Sequence, residues 1–330
     1  MRVAIVGAGA MAGALAINFQ RSGHTVAICA TKFDQLILDG IRKDRVHPTL
    51  GYWLPEEIDV LNYRHWSRPL RRAEVAVLAV PSVGVLETVT EASKLLGRST
   101  IWAVATKGWV SGSARPMSEF IREVSPGHPV VMLVGPSLAV ELAAGTPTGL
   151  ACASKDLEAA KKVAAAITSP SLRGFVTDDI VGVEVGAALK NVLAIAIGMC
   201  DGIAEVRGRP MTNTKGALFS RGLLEMGRLV LAVGGRLDTV LGLSGAGDLY
   251  LTLLGGRNGR YGRLVGTGLD PVKAFEQMGT TVEGFDNTRE AVLLAKRNRV
   301  ELPVAAMVHS VLFEGRKPEQ AILDLVMSPI

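Results

Sequence analysis

The sequence has few of the features that mark secreted, membrane-spanning or nucleic-acid-binding proteins. Its three cysteines, Cys29, Cys152 and Cys200, lie far apart and match neither a disulfide framework nor a metal-binding spacing, which predicts a reducing, cytoplasmic environment. Aromatic residues make up only 5% of the chain and do not alternate with basic residues, which disfavours a nucleic-acid surface. No apolar run approaches the roughly eighteen residues of a membrane span. We therefore expect neither a nucleic-acid partner nor a membrane span.

A signal peptide is also not expected, because the first strand-like run begins at Arg2. None of the five histidines lies in a motif described below, so no metal is expected. What the chain does have is length and apolar content. Its 330 residues, 48% hydrophobic and 20% charged, are enough for two folded domains. The formal net charge of +5 favours a small molecule that carries phosphate as the ligand.

The strongest local pattern is a glycine-rich turn near the start of the chain. The apolar run Arg2–Val6 is typical of a strand buried on both faces, and Gly7, Gly9 and Ala12 follow it in the spacing of a dinucleotide-binding loop. The first glycine permits a tight turn, and the second lets a pyrophosphate approach the backbone. The alternative is a tight turn of some other α/β domain. The cofactor-binding candidates are the residues of this loop: Gly7, Gly9, Ala10, Met11 and Ala12.

The end of the second predicted strand, His24–Ala30, bears on the choice between NAD and NADP. An acidic side chain there would bind the ribose hydroxyls and favour NAD, but the first acidic residue of the chain is Asp34. Thr31 and Lys32 stand at the strand end instead, and a hydroxyl with a cation can hold a 2′-phosphate. The sequence therefore predicts NADP or NAD as the cofactor, with Thr31 and Lys32 as contacts. Alternatively, Lys32 is an ordinary solvated lysine.

Strand-like and helix-like segments alternate as far as residue 180, which indicates βαβ units and a mostly parallel sheet. Beyond the first two strands, the strand-like runs are Glu74–Val80, Thr100–Thr106, Pro129–Val134, Gly149–Ala153 and Gly174–Thr177. The helix-like segments include Val83–Leu96 and Leu157–Ile167. From Asp179 onward, helical periodicity replaces the strand signals. We predict an α/β Rossmann-type dinucleotide-binding domain over residues 1–180 and an all-α substrate-binding domain over residues 181–330.

Two of the predicted strands end in residues suited to a ligand, since ligands bind beyond the carboxyl ends of strands in such sheets. Lys107 follows the strand Thr100–Thr106, where a cation would suit an anionic substrate. A plain surface lysine is the alternative for this residue taken alone. Gly135 and Ser137 follow the next strand, and Pro136 at a first helical position with Ser137 beside it indicates a helix start whose free N–H groups point at the same cleft.

A single charged residue, Lys190, interrupts the apolar stretch Val185–Cys200. Its neighbours at helical spacing are mostly small, which leaves room for a ligand. Burial lowers the pKa of a lysine and suits it to proton transfer near neutral pH. The alternative is a lysine that extends along an apolar face to reach water, which is harder in mid-helix. The adjacent Asn191 adds a hydrogen-bonding group.

A glycine-rich segment downstream contains four further polar candidates. Asp248 and Thr252 are four residues apart and would share one face of a helix. Arg257 and Asn258 follow two glycines, and an arginine with a neighbouring amide can bind two oxygens of a phosphate. The alternative is a solvated basic loop, since two more arginines follow.

These motifs together resemble those of the NAD(P)-dependent glycerol-3-phosphate dehydrogenases, in order along nearly the whole chain. The matching segments are GAGAMAGALA, ATKGW, VGPSLAVEL, EVGAALKNVLAIAIGMCDG, KGALFSRGLLEMGRL, GLSGAGDLYLT, the Arg257-Asn258 pair and TVEGFDNT. The resemblance implies that a cytoplasmic homodimer interconverts dihydroxyacetone phosphate and sn-glycerol 3-phosphate by hydride transfer with NAD(P)H, supplying glycerol 3-phosphate for phospholipid synthesis. The alternatives are a related reductase acting on another phosphorylated or carboxylated ketone, and a non-catalytic NADP(H) sensor.

The resemblance also implies roles for individual residues. Lys190 is the implied proton acceptor for the substrate hydroxyl, Lys107 is a second active-site lysine, and Asp248 belongs to the same catalytic group. The implied substrate contacts are Lys107, Gly135, Ser137, Lys190, Asp248, Thr252, Arg257 and Asn258. The implied cofactor contacts outside the glycine loop and the strand end are Lys107, Ala139, Arg257 and Glu283.

The chain departs from the usual pattern of this family at several places. Met11 stands where a bulky aromatic is usual, and Ala12 where glycine is common, which bears on the choice of cofactor. The segment Ile203–Thr212 is expected to form a longer loop than most bacterial members carry, which bears on the fit of the substrate.

Overall fold

A computed structural model of the chain describes residues 1–110 and 112–329, which form two compact units. The first contains Met1–Thr106 and Pro116–Ile180, and the second contains Lys107–Arg115 and the chain from Val181 onward. The sequence-based boundary at residue 180 therefore needs one correction, because the segment Lys107–Arg115 packs with the second unit. Its Trp109 side chain is 2% exposed and lies in the apolar core of the helical unit. Burial of this large side chain stabilises that arrangement.

A mostly parallel sheet forms the centre of the first unit. The strands in chain order are β1 (Arg2–Val6), β2 (Thr25–Cys29), β3 (Val46–His47), β4 (Tyr52–Trp53), β5 (Asp59–Leu61), β6 (Val75–Leu78), β7 (Ile101–Val104), β8 (Val130–Val134), β9 (Thr148–Ala153) and β10 (Leu172–Thr177). Within the described residues, eight strands form one sheet in the order β10-β9-β8-β7-β6-β1-β2-β5. Neighbouring strands run parallel except β8 and β9, which are antiparallel. The predicted α/β class is confirmed.

The central strands were predictable because they are continuous apolar runs. Strand β1 begins and ends where the sequence predicted, and its residues Val3–Val6 are buried, as expected for a strand covered on both faces. Strand β5 and the antiparallel pair β3–β4 were not predicted. Strands of two or three residues are too short to show a periodic pattern.

Helices connect the strands of the first unit. They are α1 (Ala10–Arg21), α2 (Gln35–Asp44), α3 (Ser67–Arg72), α4 (Val85–Ser93), α5 (Met117–Val124), α6 (Ala139–Ala144) and α7 (Leu157–Ile167). Helix α1 starts directly after the glycine-rich turn and is buried from Ala12 to Phe19. Its small residues allow close packing, since a Cβ at Gly13 would lie 2.6 Å from the ring of His47.

Apart from an isolated β-bridge between Val110 and Arg115, the regular structure described for the second unit is helical. Its helices are α8 (Ile180–Arg207), α9 (Thr212–Ala232), α10 (Leu237–Leu241), α11 (Asp248–Leu253), α12 (Arg257–Gly266), α13 (Pro271–Met278), α14 (Glu283–Asn298), α15 (Pro303–Phe313) and α16 (Pro318–Met327). By length and composition alone, α8 could cross a membrane, contrary to the sequence expectation. However, 94% of its most apolar window is buried inside the protein. Helix α8 is therefore the core helix of this unit.

Glycines bring α12 into direct backbone contact with α8. A Cβ at Gly198 of α8 would overlap the carbonyl oxygen of Gly259 on α12. In the reverse direction, a Cβ at Gly262 of α12 would overlap the carbonyl oxygen of Ile195 on α8. Because neither position carries a side chain, the two helices approach closely along several turns. This packing fixes the start of α12 beside the middle of α8.

The prediction of a long loop at Ile203–Thr212 is wrong. Helix α8 continues to Arg207, and α9 begins at Thr212, so only residues 208–211 connect them. Ile203 is buried in the helical core and continues the apolar face of α8. Glu205 forms an ion pair with Arg263, over 2.8 Å, on the exposed side of the same turn. Local packing therefore extends the helix through residues whose sequence looked irregular.

Candidate active site

An ion cluster in the second unit brings together three residues that the sequence singled out separately. The Asp248 carboxylate lies between two lysines: its Oδ1 is 2.7 Å from Lys190 Nζ, and its Oδ2 is 2.7 Å from Lys107 Nζ. The side chains of Lys190 and Asp248 are 6% and 1% exposed, whereas that of Lys107 is 16% exposed. Little water is left to screen these charges, so each bond is charge-assisted and strong.

Thr252 completes the surroundings of Lys190. Its hydroxyl accepts a hydrogen bond from Lys190 Nζ over 2.9 Å and donates one to the backbone oxygen of Asp248 over 2.6 Å. An ammonium group has three N–H donors. Within the described residues, Lys190 directs two of them to Asp248 and Thr252. The third N–H is available to a ligand oxygen.

Burial and charge set the protonation of this cluster. Burial, and then the nearby positive charge of Lys107, lower the pKa of Lys190 to about 8, against the opposing effect of Asp248 and Glu283. Burial alone would raise the pKa of Asp248, but the two lysines outweigh it and hold that pKa below its ordinary value. Asp248 therefore stays ionised, whereas Lys190 can gain or lose a proton near neutral pH.

A turn of π-helix places Asp248 opposite Lys190. The turn Leu243–Gly247 packs against α8, where a Cβ at Gly186 would lie 3.0 Å from the backbone oxygen of Ser244. Glycine at this position lets the turn approach α8 closely. Asp248 follows as the first residue of α11 and comes within reach of Lys190. Within the turn itself, a Cβ at Gly245 would overlap the Val240 oxygen, so this glycine before Asp248 is required for packing.

A second hydrogen-bonded network adjoins the cluster. Asn191, next to Lys190 on α8, donates from Nδ2 to Glu283 Oε2 over 3.3 Å. Asn258 Nδ2 donates to Asn191 Oδ1 over 2.8 Å, and Asn258 Oδ1 accepts from the Gly284 backbone N–H over 2.9 Å. These bonds connect α8, α12 and α14. Both polar atoms of the Asn258 side chain therefore have protein partners.

Arg257 stands beside this network as the first residue of α12. Its side chain is exposed, and within the described residues it forms no ion pair or hydrogen bond. The first backbone bond of the helix runs from Arg260 N–H to the Gly256 oxygen, over 3.1 Å, which leaves the earlier N–H groups without a helical partner. A guanidinium next to such N–H groups is chemically suited to a phosphate.

The glycine-rich loop of the first unit fits a dinucleotide. Gly7 has φ +110°, and a Cβ there would lie 2.5 Å from the Ala79 oxygen, so only glycine suits this turn. A Cβ at Gly9 would meet nothing within 4 Å, and Gly9 caps α1. The loop residues Ala10 and Met11 are partly exposed and Ala12 is buried, and the N–H groups that precede the bond from Gly13 N–H to the Gly9 oxygen have no partner within α1. A pyrophosphate could approach them there.

The end of β2 differs from the sequence expectation in one respect. Although Asp34 follows the predicted strand by several residues, its side chain lies at the strand end. Its Oδ2 accepts hydrogen bonds from both the N–H and the hydroxyl of Thr31, each over 2.7 Å. Lys32 forms an exposed ion pair with Glu87 on α4. Both candidate contacts of a 2′-phosphate therefore have acidic partners.

Three further candidates, Gly135, Ser137 and Ala139, follow β8 in the first unit. Ser137 Oγ donates to the Gly135 oxygen over 3.1 Å. Helix α6 starts at Ala139 and not at the proline before Ser137, which corrects the predicted helix start. The first unit thus carries these three residues, the glycine loop and the end of β2, while the lysine cluster and its network belong to the second unit.

Sequence reasoning missed two residues of α14, Asn287 and Glu290, which contact the segment that carries Lys107. Asn287 lies in the matching segment TVEGFDNT but had no role assigned to it, and Glu290 follows in a helix rich in charged residues, where no spacing distinguished it. Within the part of the chain that the structure describes, no group of three or more His, Cys, Asp or Glu side chains forms a metal-ion site.

Comparison with known proteins gives one consistent result. Residues 2–160 match the family model described as the N-terminus of NAD-dependent glycerol-3-phosphate dehydrogenase, and residues 179–323 match the model of its C-terminus. The curated glycerol-3-phosphate dehydrogenase [NAD(P)+] of Thiobacillus denitrificans is 38% identical over 331 residues, which cover 99% of this chain and 98% of that protein. That of Idiomarina loihiensis is 34% identical over 98% of this chain and 97% of its own length.

A solved structure supports the same relationship. The crystal structure of glycerol-3-phosphate dehydrogenase from Coxiella burnetii matches with a TM-score of 0.89 and 33% identity, covering 99% of this chain and 98% of that one. Sequence identity above 30% along nearly the full length of two curated relatives agrees with the two family models. The chain belongs to the NAD-dependent glycerol-3-phosphate dehydrogenase family.

Proposed function

We propose that this chain interconverts dihydroxyacetone phosphate and sn-glycerol 3-phosphate, using NAD(P)H as the hydride donor. The observation that carries the proposal is the buried Lys190–Asp248–Lys107 cluster in a member of this family. A ketone that accepts hydride at carbon becomes an alkoxide and needs a proton at oxygen. A buried lysine whose pKa is about 8 and which has one unused N–H can supply that proton.

Each residue of the cluster has a separate proposed role in the reaction. A reduced nicotinamide cofactor, which the loop around Gly7 and Gly9 would hold, would supply the hydride for the carbonyl carbon. Lys190 donates its proton to the carbonyl oxygen, and in the reverse direction it accepts the proton of the hydroxyl. Lys107 contributes positive charge that stabilises the developing alkoxide, and Asp248 holds both lysines in place. Thr252 orients the Lys190 ammonium group.

Arg257 is the proposed partner of the substrate phosphate. Its guanidinium has no competing carboxylate among the described residues, and the backbone N–H groups at the start of α12 lie beside it. Asn258 contributes its backbone N–H, because its side-chain amide already has protein partners. Glu283 reaches the cluster through Asn191, which supports its proposed place near the reacting ends of substrate and cofactor.

We assign the cofactor to residues of the first unit: Gly7, Gly9, Ala10, Met11, Ala12, Thr31, Lys32 and Ala139, with Gly135 and Ser137 nearby along the chain. The first unit, within residues 1–180, is the proposed dinucleotide-binding domain, and the second unit, which adds Lys107–Arg115 to residues 181–330, is the proposed substrate domain. NADPH should be used at least as well as NADH, with Lys32 leaving Glu87 to bind a 2′-phosphate. The protein is proposed to act as a cytoplasmic homodimer that supplies glycerol 3-phosphate for phospholipid synthesis.

Initial-rate assays with three ketones and a control without ketone test the reaction. NADPH and NADH oxidation is followed with dihydroxyacetone phosphate, with unphosphorylated dihydroxyacetone, with a 2-keto carboxylate and with no ketone. Turnover should depend on dihydroxyacetone phosphate. A preference for the keto carboxylate would identify a related reductase instead, and cofactor binding without turnover on any ketone would identify a sensor. A strong preference for NADH would contradict the proposed role of Lys32.

A further inference from the structure

One carboxylate holds the backbone of the segment that carries Lys107. Glu290 on α14 accepts the Gly112 N–H at Oε1 over 2.5 Å and the Ala114 N–H at Oε2. Its side chain is 5% exposed. Gly112 has φ +77° and Ala114 has φ +53°, and for alanine this left-handed conformation is unfavourable without compensating contacts. The two N–H groups converge on a single acceptor because the backbone adopts this conformation.

Other residues fix the same segment to the helical unit. Trp109 is buried in the apolar core. A Cβ at Gly108 would lie 2.9 Å from Oδ1 of Asn287, one turn before Glu290 on α14. Further along that helix, an arginine donates to the segment over 2.9 Å, from Arg297 Nη1 to the Ser113 oxygen. Helix α14 therefore contacts the segment over several turns, and Glu290 provides the charged contact.

From these contacts we infer that Glu290 is a positioning residue for catalysis: by holding the backbone of residues 112 and 114, it keeps Lys107 Nζ on Asp248 Oδ2. The inference rests on the proposed role of Lys107 in the reaction. Lysine side chains are long and lose much rotamer freedom when fixed. On a loosely held segment, the Lys107 ammonium group would exchange its contact with Asp248 for contacts with water. The 2.7 Å bond from Lys107 Nζ to Asp248 Oδ2 therefore depends on the segment being fixed.

The position of Lys107 changes the acidity of Lys190. The charged groups that act on Lys190 are Lys107, Asp248 and Glu283, and among them only Lys107 lowers its pKa. If Lys107 moves away, only burial still opposes the effect of Asp248 and Glu283, and the pKa of Lys190 rises. Reduction uses the protonated lysine, so its alkaline limit moves to higher pH. Oxidation uses the neutral lysine, so its onset moves to higher pH as well.

The first test is Glu290→Gln. The amide keeps one acceptor oxygen but turns an N–H₂ group toward the other backbone N–H. We expect kcat for dihydroxyacetone phosphate reduction to fall about tenfold or more, as displaced catalytic groups do, with little change in KM for NAD(P)H. The alkaline limb of the pH–rate profile should move upward by about half a unit or more. An unchanged profile with normal kcat would overturn the inference.

Glu225→Gln is the matched control. Glu225 is likewise a buried carboxylate of the helical unit that accepts two backbone N–H groups, those of Val304 over 2.6 Å and Ala305 over 3.0 Å. Its partners belong to α15 and not to the segment that carries Lys107. This variant should lose stability without a shift of the pH–rate profile. The comparison separates a positioning effect from a general effect of losing a buried carboxylate.

A double-mutant cycle decides whether Glu290 acts through Lys107. Lys107→Ala removes the positioned group, so adding Glu290→Gln to it should lower kcat little further. An equal loss of kcat in the wild-type and Lys107→Ala backgrounds would mean that Glu290 affects catalysis independently of Lys107. If Glu290→Gln does not fold, Arg297→Ala replaces it in the same cycle. We then expect a smaller loss of kcat in the wild-type background and no further loss in the Lys107→Ala background. If Lys107→Ala itself leaves kcat unchanged, the proposed role of Lys107 fails, and not only its positioning.

Discussion

Lys190 combines the two properties that a proton-transfer group needs, a suitable pKa and a fixed position. Its apolar neighbours on α8 favour the neutral form, while Asp248 and Thr252 hold the ammonium group in place when it is charged. A lysine in water would titrate near pH 10.4 and would move freely. Reduction of a ketone needs Lys190 charged, and oxidation of the alcohol needs it neutral, so a pKa of about 8 serves both directions.

We therefore expect opposite pH dependences for the two directions. kcat/KM for reduction should fall as pH rises through about 8, and that for oxidation should rise over the same interval. Lys190→Ala should lower turnover by about a hundredfold or more and remove both dependences, while Lys273→Ala, an exposed lysine on α13, should change neither. The pH–rate profiles of the three proteins are the measurement. Near-normal turnover in Lys190→Ala would show that another group transfers the proton.

Arg257 can be tested by removing either its side chain or the substrate phosphate. Arg257→Ala should raise KM for dihydroxyacetone phosphate, at a cost of about 2–5 kcal/mol if the charge pair is desolvated. Arg257→Lys keeps the charge but loses the planar fork, so it should restore only part of the affinity. Unphosphorylated dihydroxyacetone should be used equally by all three proteins. Equal losses of kcat/KM on both substrates would mean that Arg257 stabilises the fold or binds the cofactor instead.

Between elements, the contact of α8 with α12 decides where Arg257 lies. The two helices meet through glycines, and no side chain separates their backbones at Gly198 and Gly262. The network of Asn191 and Asn258 crosses the same contact. The start of α12 is therefore fixed relative to Lys190 by backbone packing, which is more rigid than a contact through long side chains.

Gly198→Ala should disturb this arrangement. Its Cβ would overlap the Gly259 oxygen, so α12 must move, at a cost of about 1–3 kcal/mol from overpacking. KM for dihydroxyacetone phosphate should rise more than KM for NAD(P)H. Gly216→Ala on α9 is the control, because a Cβ there meets nothing within 4 Å and alanine favours the helix by about 0.5–1 kcal/mol. Denaturation midpoints and both KM values test this, and a destabilised Gly198→Ala with unchanged KM values would contradict it.

The elements show which structural features a sequence can predict. Lys190 was found because it is the one charge in Val185–Cys200, and the helix there is continuous. The spacing of Asp248 and Thr252 predicted a shared helix face, and Thr252 indeed bonds the Asp248 backbone. The end of α8 could not be predicted, because the helix extends to Arg207 through tertiary contacts that no local pattern encodes.

At the scale of the whole chain, the change from alternating strands to helical periodicity near residue 180 was visible in the sequence. The place of the segment Lys107–Arg115 was not. It depends on Trp109 entering a core formed by residues from Val185 onward, and on Glu290, which lies more than 170 residues later. Long-range burial of this kind leaves no periodic signal, and it is what brings Lys107 to Asp248.

The stability of the molecule should depend on pH through Glu225. Burial, against the opposing effect of the Val304 and Ala305 N–H groups, raises the pKa of this carboxyl to about 7 from 4.5. At this site the folded chain therefore binds more protons than the unfolded chain between these values, so the contribution of Glu225 to the free energy of unfolding falls as pH rises from about 4.5 to 7.

Glu225→Gln cannot titrate, so it isolates this contribution. The free energy of unfolding of the wild type minus that of the variant should decrease by about 3 kcal/mol across that interval and stay constant above it, since the pKa shift from 4.5 to about 7 corresponds to roughly this energy. Urea denaturation followed by far-UV circular dichroism at several pH values provides the measurement. Groups shared by both proteins cancel in the difference. A difference that does not change with pH would mean that Glu225 stays ionised in the fold, held so by the start of α15.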